Sequence, residues 1–94
     1  AWRLIELVKP QFVVGPARVG KGGVVRDPVD HIRALESALA AAAAVGLVPV
    51  GLMPSPIQGQ KGNREFLLYA QKGGAAGPIS VEEVVREAWK DESP

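Results

Sequence analysis

The chain has no cysteine. That excludes a disulfide framework and any thiolate-ligated zinc site, and it fits a reducing compartment. It has a single histidine, His31, and one imidazole alone cannot build a metal site. No apolar run approaches the roughly 20 residues that a membrane span needs. The opening AWRLIELVKP lacks the basic start, long apolar stretch and small-residue cleavage site of a signal peptide. There is no G-x-G-x-x-G, no Walker A pattern, no nucleophile–base pair and no internal repeat. There is also no starting Met, and the chain opens inside a strand-like segment. It reads as a piece cut from something larger.

What is present is a chain of 94 residues, enough for one small domain with a thin core. A chain of this size buries roughly 60–65% of its unfolded surface. Apolar residues make up 47%, a globular proportion. Eleven Gly and eight Pro point to much loop. The net charge of +1 is uninformative as a total, but its distribution is uneven. Residues 1–76 carry nine bases and five acids, whereas residues 77–94 carry two bases and five acids. Between Leu7 and Arg26 there are four bases (Lys9, Arg18, Lys21, Arg26) and no acid. A stretch like that is either a solvated loop or a surface for an anionic partner.

Local signals give an order of elements. Trp2 to Val8 reads as a strand that must stop near Lys9, because Pro10 cannot donate to a ladder. Residues 13–26 hold four Gly and one Pro without a sustained period, so they read as a long loop. Asp27-Pro28 is a helix start, with Asp30 adding negative charge to the first turn. The helix runs to about Val45 with Ile32, Leu35, Leu39 and Ala43 on one face, and Gly46 suits the left-handed position after it. Leu47 to Met53 reads as a strand in which Pro49 implies an edge or a bulge. A turn-rich stretch, 54–63, leads to a third strand over Arg64 to Gln71. That strand is apolar on both faces and is expected to be interior. After a flexible link from Gly73 to Pro78, Ser80-Val-Glu-Glu83 is a capping box opening a short helix to about Lys90. Strand, helix and strand form a βαβ unit with parallel strands, and the short turn lets the third strand run antiparallel.

Two residues stand out chemically. Lys9 follows an apolar strand directly, at the carboxyl end where open α/β sheets bind ligands. Glu65 begins the expected interior strand and needs a partner there. If the third strand lies antiparallel beside the first, its start meets the first strand's end, and Lys9 and Glu65 share one rim. The bland alternatives are a snorkelling lysine and a surface salt bridge. The Gly20-Lys21-Gly22-Gly23 cluster is like a phosphate loop in composition only. His31, on the first turn of the helix, reads as structural.

The strings Leu7-Val-Lys-Pro-Gln-Phe12, Val19-Gly-Lys-Gly-Gly-Val-Val-Arg-Asp-Pro28, Ser55-Pro-Ile57 and Gly62-Asn-Arg-Glu-Phe-Leu67 resemble the hemolysin A (TlyA-like) family over roughly residues 3 to 71. These are FtsJ-type, S-adenosylmethionine-dependent ribosomal RNA ribose 2′-O-methyltransferases. The resemblance implies an α/β fold. It would be the C-terminal half of a Rossmann-type methyltransferase, a three-stranded mixed sheet with two helices. Its strands would be the fifth, sixth and seventh of seven, with the seventh inserted antiparallel between the other two. Of the family's Lys-Asp-Lys-Glu tetrad, Lys9 matches the second lysine and Glu65 the glutamate. The first lysine, the aspartate and the cofactor loop would lie upstream of Ala1. Val13 departs from the family, which commonly has Glu there.

The implied partners are ribosomal RNA, contacted by Arg18, Lys21 and Arg26, and S-adenosylmethionine, bound outside this segment. The implied setting is the cytoplasm. On this reading residues 1–73 belong to the methyltransferase domain. Residues 74–94 form a linker and short helix of unassigned role. The segment alone would be inactive, and its exposed first-strand edge could pair with a second copy. The alternative is a non-catalytic RNA-binding or self-associating module built on the same half-fold.

Overall fold

The computed structural model describes residues 3–59 and 62–90, with Lys21 described by its backbone alone. Trp2, the expected start of the first strand, lies outside the described residues. The elements are β1 (Arg3–Val8), three single 3-10 turns (Pro10–Phe12, Pro16–Arg18 and Lys21–Gly23), α1 (Pro28–Ala44), β2 (Leu47–Pro54), β3 (Phe66–Lys72) and α2 (Val81–Trp89). The long loop is therefore not featureless, although none of its turns propagates.

The strand order is β1-β3-β2, and β3 pairs antiparallel with both neighbours. β1 and β2 thus point the same way across an inserted β3, as a βαβ unit with a late third strand requires. The expected mixed sheet takes that form: the parallel pair is never adjacent, so every ladder is antiparallel. Pro49 lies on the edge strand β2, beside a register shift between Pro49 and Gly51. The edge and the bulge expected for this proline coincide.

The helices form where local chemistry permits. The Asp27 carboxylate accepts from the Val29 N–H at 2.9 Å, with Pro28 at the first helical position. Gly46 then sits at φ +82°, in the left-handed region, and turns the chain into β2. The buried side of α1 includes Leu35 with Ile32 and Leu39 packed beside it, as expected, and departs from expectation at Ala43. Asp30, His31, Ala34, Leu35 and Ala42 are buried, while Ala43 is exposed. An Ala-rich helix leaves its own rotation underdetermined, and packing against the sheet chose Ala42. At α2, the Ser80 hydroxyl accepts from the Glu83 N–H at 3.3 Å. The reciprocal half of the box is absent because the Glu83 carboxylate pairs with Arg86.

Both helices cover one face of the sheet. Val8, Leu35, Phe66, Leu68, Ala70, Val81 and Val85 form the core, so α2 completes it rather than trailing from it. Each fully buried Val, Leu or Phe is worth about 1.5–3 kcal/mol. β3 is central, but only one of its faces is buried. Phe66, Leu68 and Ala70 point inward, Leu67 is half-buried and Tyr69 is exposed. Ile5 pairs with Tyr69, and Leu7 and Met53 flank Leu67, so the uncovered face is apolar too. Apolar composition on both faces signalled a two-sided strand, yet the described residues cover one side.

Candidate functional site

The antiparallel register pairs Val8 with Phe66. One step further along both strands brings Lys9 opposite Glu65. The Lys9 Nζ stands 3.9 Å from Glu65 Oε2, the lysine side chain 45% exposed and the carboxylate 4%. Gln11 Nε2 donates to the same oxygen at 3.0 Å. Gly59 closes another side: a Cβ there would lie 1.8 Å from Oε2 and 2.3 Å from the carboxyl carbon. The Ser55 N–H donates to the Glu65 carbonyl at 2.8 Å, extending the β2–β3 pairing to this residue. Glu65 is thus a carboxylate fixed in place, and Lys9 is an ammonium group free to reach solvent on one side. At 3.9 Å and half exposed, the ion pair itself contributes little to stability. The Gln11 Oε1 atom is buried with no partner among the described residues.

Two residues earlier, Asn63 is buried, and its amide reaches the glycine-rich loop. Its Oδ1 accepts from the Val25 N–H at 3.0 Å, and its Nδ2 donates to the Gly23 carbonyl at 2.9 Å. No property of the residues had singled Asn63 out; it appeared only as part of the GN-x-EF string. In the loop, the Gly20 N–H donates to the Val24 carbonyl and the Gly23 N–H to the Gly20 carbonyl. These amides are turned inward and do not form a phosphate nest. Gly20 is required for a different reason: a Cβ would lie 2.5 Å from the Arg26 guanidinium and 2.8 Å from the Val24 carbonyl oxygen.

The three basic residues of this region differ. Arg18 is held by Asp30 at 2.9 Å and by Asp27 at 3.7 Å. Arg26 is exposed over Gly20, and its guanidinium lies 3.5 Å from the Val24 carbonyl oxygen. The Lys21 side chain lies outside the described part. The acid-free stretch is therefore partly neutralised across space, by carboxylates on the first turn of α1.

On the other side of the strand start, Arg64 lies with its guanidinium carbon 3.9 Å from the centre of the Trp89 ring, and its Nε donates to the Ala88 carbonyl. The Trp89 indole N–H donates to His31 Nδ1 at 2.9 Å. His31 is fully buried and meets Phe66 edge-on, with ring centres 5.6 Å apart. Burial pushes its pKa from 6.5 down to about 4, assisted by the Arg64 charge. The imidazole is neutral, with Nδ1 as acceptor, and its role is structural. A cavity of about 680 Å³ lies between the 54–58 turn and α2, lined among others by Ser55, Gln58, Arg64, Glu65 and Lys90. Among the described residues no group of three His, Asp or Glu could hold a metal ion. No helix among them is long and apolar enough to cross a membrane.

Residues 1–72 match the model of the FtsJ-like methyltransferases. The chain belongs to the FtsJ-like methyltransferase family. It is 43% identical over 92 residues to the Bacillus subtilis protein named "Putative rRNA methyltransferase YqxC", covering 92% of this chain and 33% of that protein. It is 38% identical over 87 residues to the Mycobacterium tuberculosis 16S/23S rRNA (cytidine-2'-O)-methyltransferase TlyA, covering 90% of this chain and 32% of TlyA. A solved structure described as "Putative hemolysin from Streptococcus thermophilus" superposes with a TM-score of 0.86 at 40% identity, covering 96% of this chain and 34% of that one. The chain spans about a third of the length of the curated relatives it matches. These likenesses extend past residue 72, in keeping with the place of α2 in the core of this FtsJ-like chain.

Proposed function

We propose that this chain is the lysine–glutamate half of a ribosomal RNA ribose 2′-O-methyltransferase. The observation that carries the reading is the Lys9–Glu65 pair at the joined ends of β1 and β3, in a chain of this family. A ribose hydroxyl is a poor nucleophile at neutral pH. A lysine beside it can accept its proton or stabilise the oxyanion as it attacks. Lys9 takes that role, and Glu65 holds its head group. Gln11 and Gly59 in turn hold Glu65. Arg26, with Lys21 and the exposed part of Arg18, contacts RNA phosphates.

S-adenosylmethionine is the methyl donor of this class. The described residues do not fit it. The Gly20 and Gly23 amides are spent inside their own turns, and the rim carboxylate is engaged by Lys9 and Gln11. We assign the donor site to other segments of the protein, and by the same reasoning the 94 residues alone are inactive. An enzyme with this substrate works where ribosomes are, in the cytoplasm.

The test is methyl transfer to ribosomal RNA by the full-length protein. Lys9→Ala is expected to reduce it to background while the fold is retained. Undiminished transfer by the folded variant would remove Lys9 from the mechanism. The second reading, a self-associating module, rests on the apolar sheet face and the outer edge of β1, both left uncovered by the described residues. A concentration-dependent dimer that is inert towards RNA would favour it.

A further inference from the structure

We infer that Asn63 is a positioning residue that sets the glycine-rich loop at a fixed distance from the Lys9–Glu65 rim. The inference rests on the methyltransferase reading above and adds a residue to it. Three bonds carry it. The buried Asn63 side chain uses its oxygen on the Val25 N–H and its nitrogen on the Gly23 carbonyl, 38 and 40 residues away in sequence. Its own carbonyl accepts from the Gly59 N–H at 2.8 Å. Gly59 is the residue packed against the Glu65 carboxylate. One residue therefore holds the loop that presents Arg26 on one side and the turn that encloses Glu65 on the other.

The amide is matched to this task by its chemistry. It offers one acceptor and one donor on the same planar group, and the loop presents one N–H and one carbonyl to receive them. Aspartate keeps the acceptor but sets a negative oxygen against the Gly23 carbonyl. Leucine has the shape and makes neither bond. The loop's other backbone hydrogen bonds are local, closing single turns within residues 15–24. They shape the loop, and Arg18 ties it to Asp30 on α1, while the Asn63 bonds join it to the turn that encloses Glu65. An RNA strand gripped by the loop meets Lys9 in register only if the distance from loop to rim is constant. Loosening the clamp should weaken RNA capture more than the chemical step.

The experiment uses the full-length protein with Asn63→Ala and Asn63→Asp. Two quantities are read: backbone hydrogen exchange at Val25 relative to α1, and the split between KM for ribosomal RNA and kcat. With Asn63→Ala, Val25 exchange is expected to accelerate about tenfold or more while α1 is unchanged, the scale of one lost buried hydrogen bond. KM should rise about tenfold, with kcat changing less than about threefold. Asn63→Asp should move both in the same direction by at least as much, since it sets a buried negative oxygen against the Gly23 carbonyl. Unchanged Val25 exchange would overturn the clamp. Faster exchange with an unchanged KM would overturn the positioning role. Loss of the folded state in both variants would also overturn it, since Asn63 would then be a core residue only. If the unsubstituted protein transfers no methyl group to ribosomal RNA, the enzymatic reading fails. The Val25 exchange would still decide separately whether Asn63 holds the loop.

Discussion

Arg64 and Glu65 are neighbours in sequence, yet they serve two different regions. Glu65 turns to the rim, where Lys9 reaches it from a half-exposed position and one side stays open to solvent. Arg64 turns to α2, where Trp89 stacks on it and bonds the fully buried His31. Extended backbone sends successive side chains to opposite faces, so one dipeptide can feed an open site and a sealed core. Each region fixes one buried polar group and leaves another atom unpartnered among the described residues, Gln11 Oε1 at the rim and His31 Nε2 in the core, and the fixing differs in kind. At the rim the outer partner is a half-exposed ammonium group with one side open to solvent. In the core the partners are two rings packed against each other.

The largest expected effect separates the two regions by activity. Lys9→Ala should abolish methyl transfer by the full-length protein while its urea midpoint stays nearly constant, because a half-exposed ion pair is worth about 1 kcal/mol or less. A large loss of stability would mean that the rim is structural and the comparison is wrong.

Trp89→Ala should do the reverse. It removes the ring under Arg64 and leaves His31 Nδ1 without its donor. A cost of about 3 kcal/mol in urea denaturation is expected, within the range for large-to-small core changes. The folded fraction should keep its methyl transfer.

A pH dependence of stability is expected from the core. The folded pKa of His31 is depressed to about 4, below its unfolded value of 6.5. The unfolded chain therefore binds the proton first as pH falls. The stability owed to neutral His31 is present above about pH 6.5 and is lost progressively between 6.5 and 4. The loss reaches about 3 kcal/mol, at 1.36 kcal/mol per pKa unit. His31→Gln should flatten that slope in chemical denaturation at stepped pH, and an unchanged slope would assign it to carboxylates.

Gly59→Ala has a smaller expected effect on stability than Trp89→Ala and sharpens the rim. The added Cβ must push the Glu65 carboxylate away from Gln11 and Lys9. A cost of about 1–2 kcal/mol is expected, as for overpacking at a confined position. A clear fall in methyl transfer by the folded fraction should accompany it, and full activity would show that the Glu65 position is not critical.

Much of this was legible in one dimension. Asp27-Pro28 caps a helix, Pro10 stops a strand and Pro49 marks an edge because each acts through its own backbone. Lys9 and Glu65 were legible as a pair once β3 was set antiparallel beside β1, because that order brings two strand ends together. His31 was legible as structural but not as buried, since its burial depends on Phe66 and on Trp89, which lies 58 residues away. Asn63 was not legible as a clamp, because an Asn after a Gly also fits a plain turn. The Arg18–Asp30 pair was missed for a similar reason: charges were counted along the chain, and their neutralisation acts across a loop.

The sequence by itself determined the main elements and their order, since turn chemistry, capping and strand alternation are local; the insertion of β3, and with it the meeting of Lys9 and Glu65, followed from the family resemblance and the topology it implies. The tertiary structure alone decided the rotation of α1 onto Ala42, the burial of His31 under Trp89, the docking of α2 into the core and the tie between Asn63 and the glycine-rich loop. Each of these depends on which side chains packing brings within a few ångströms of each other, and a contact of that kind has no signature in the spacing of residues along the chain.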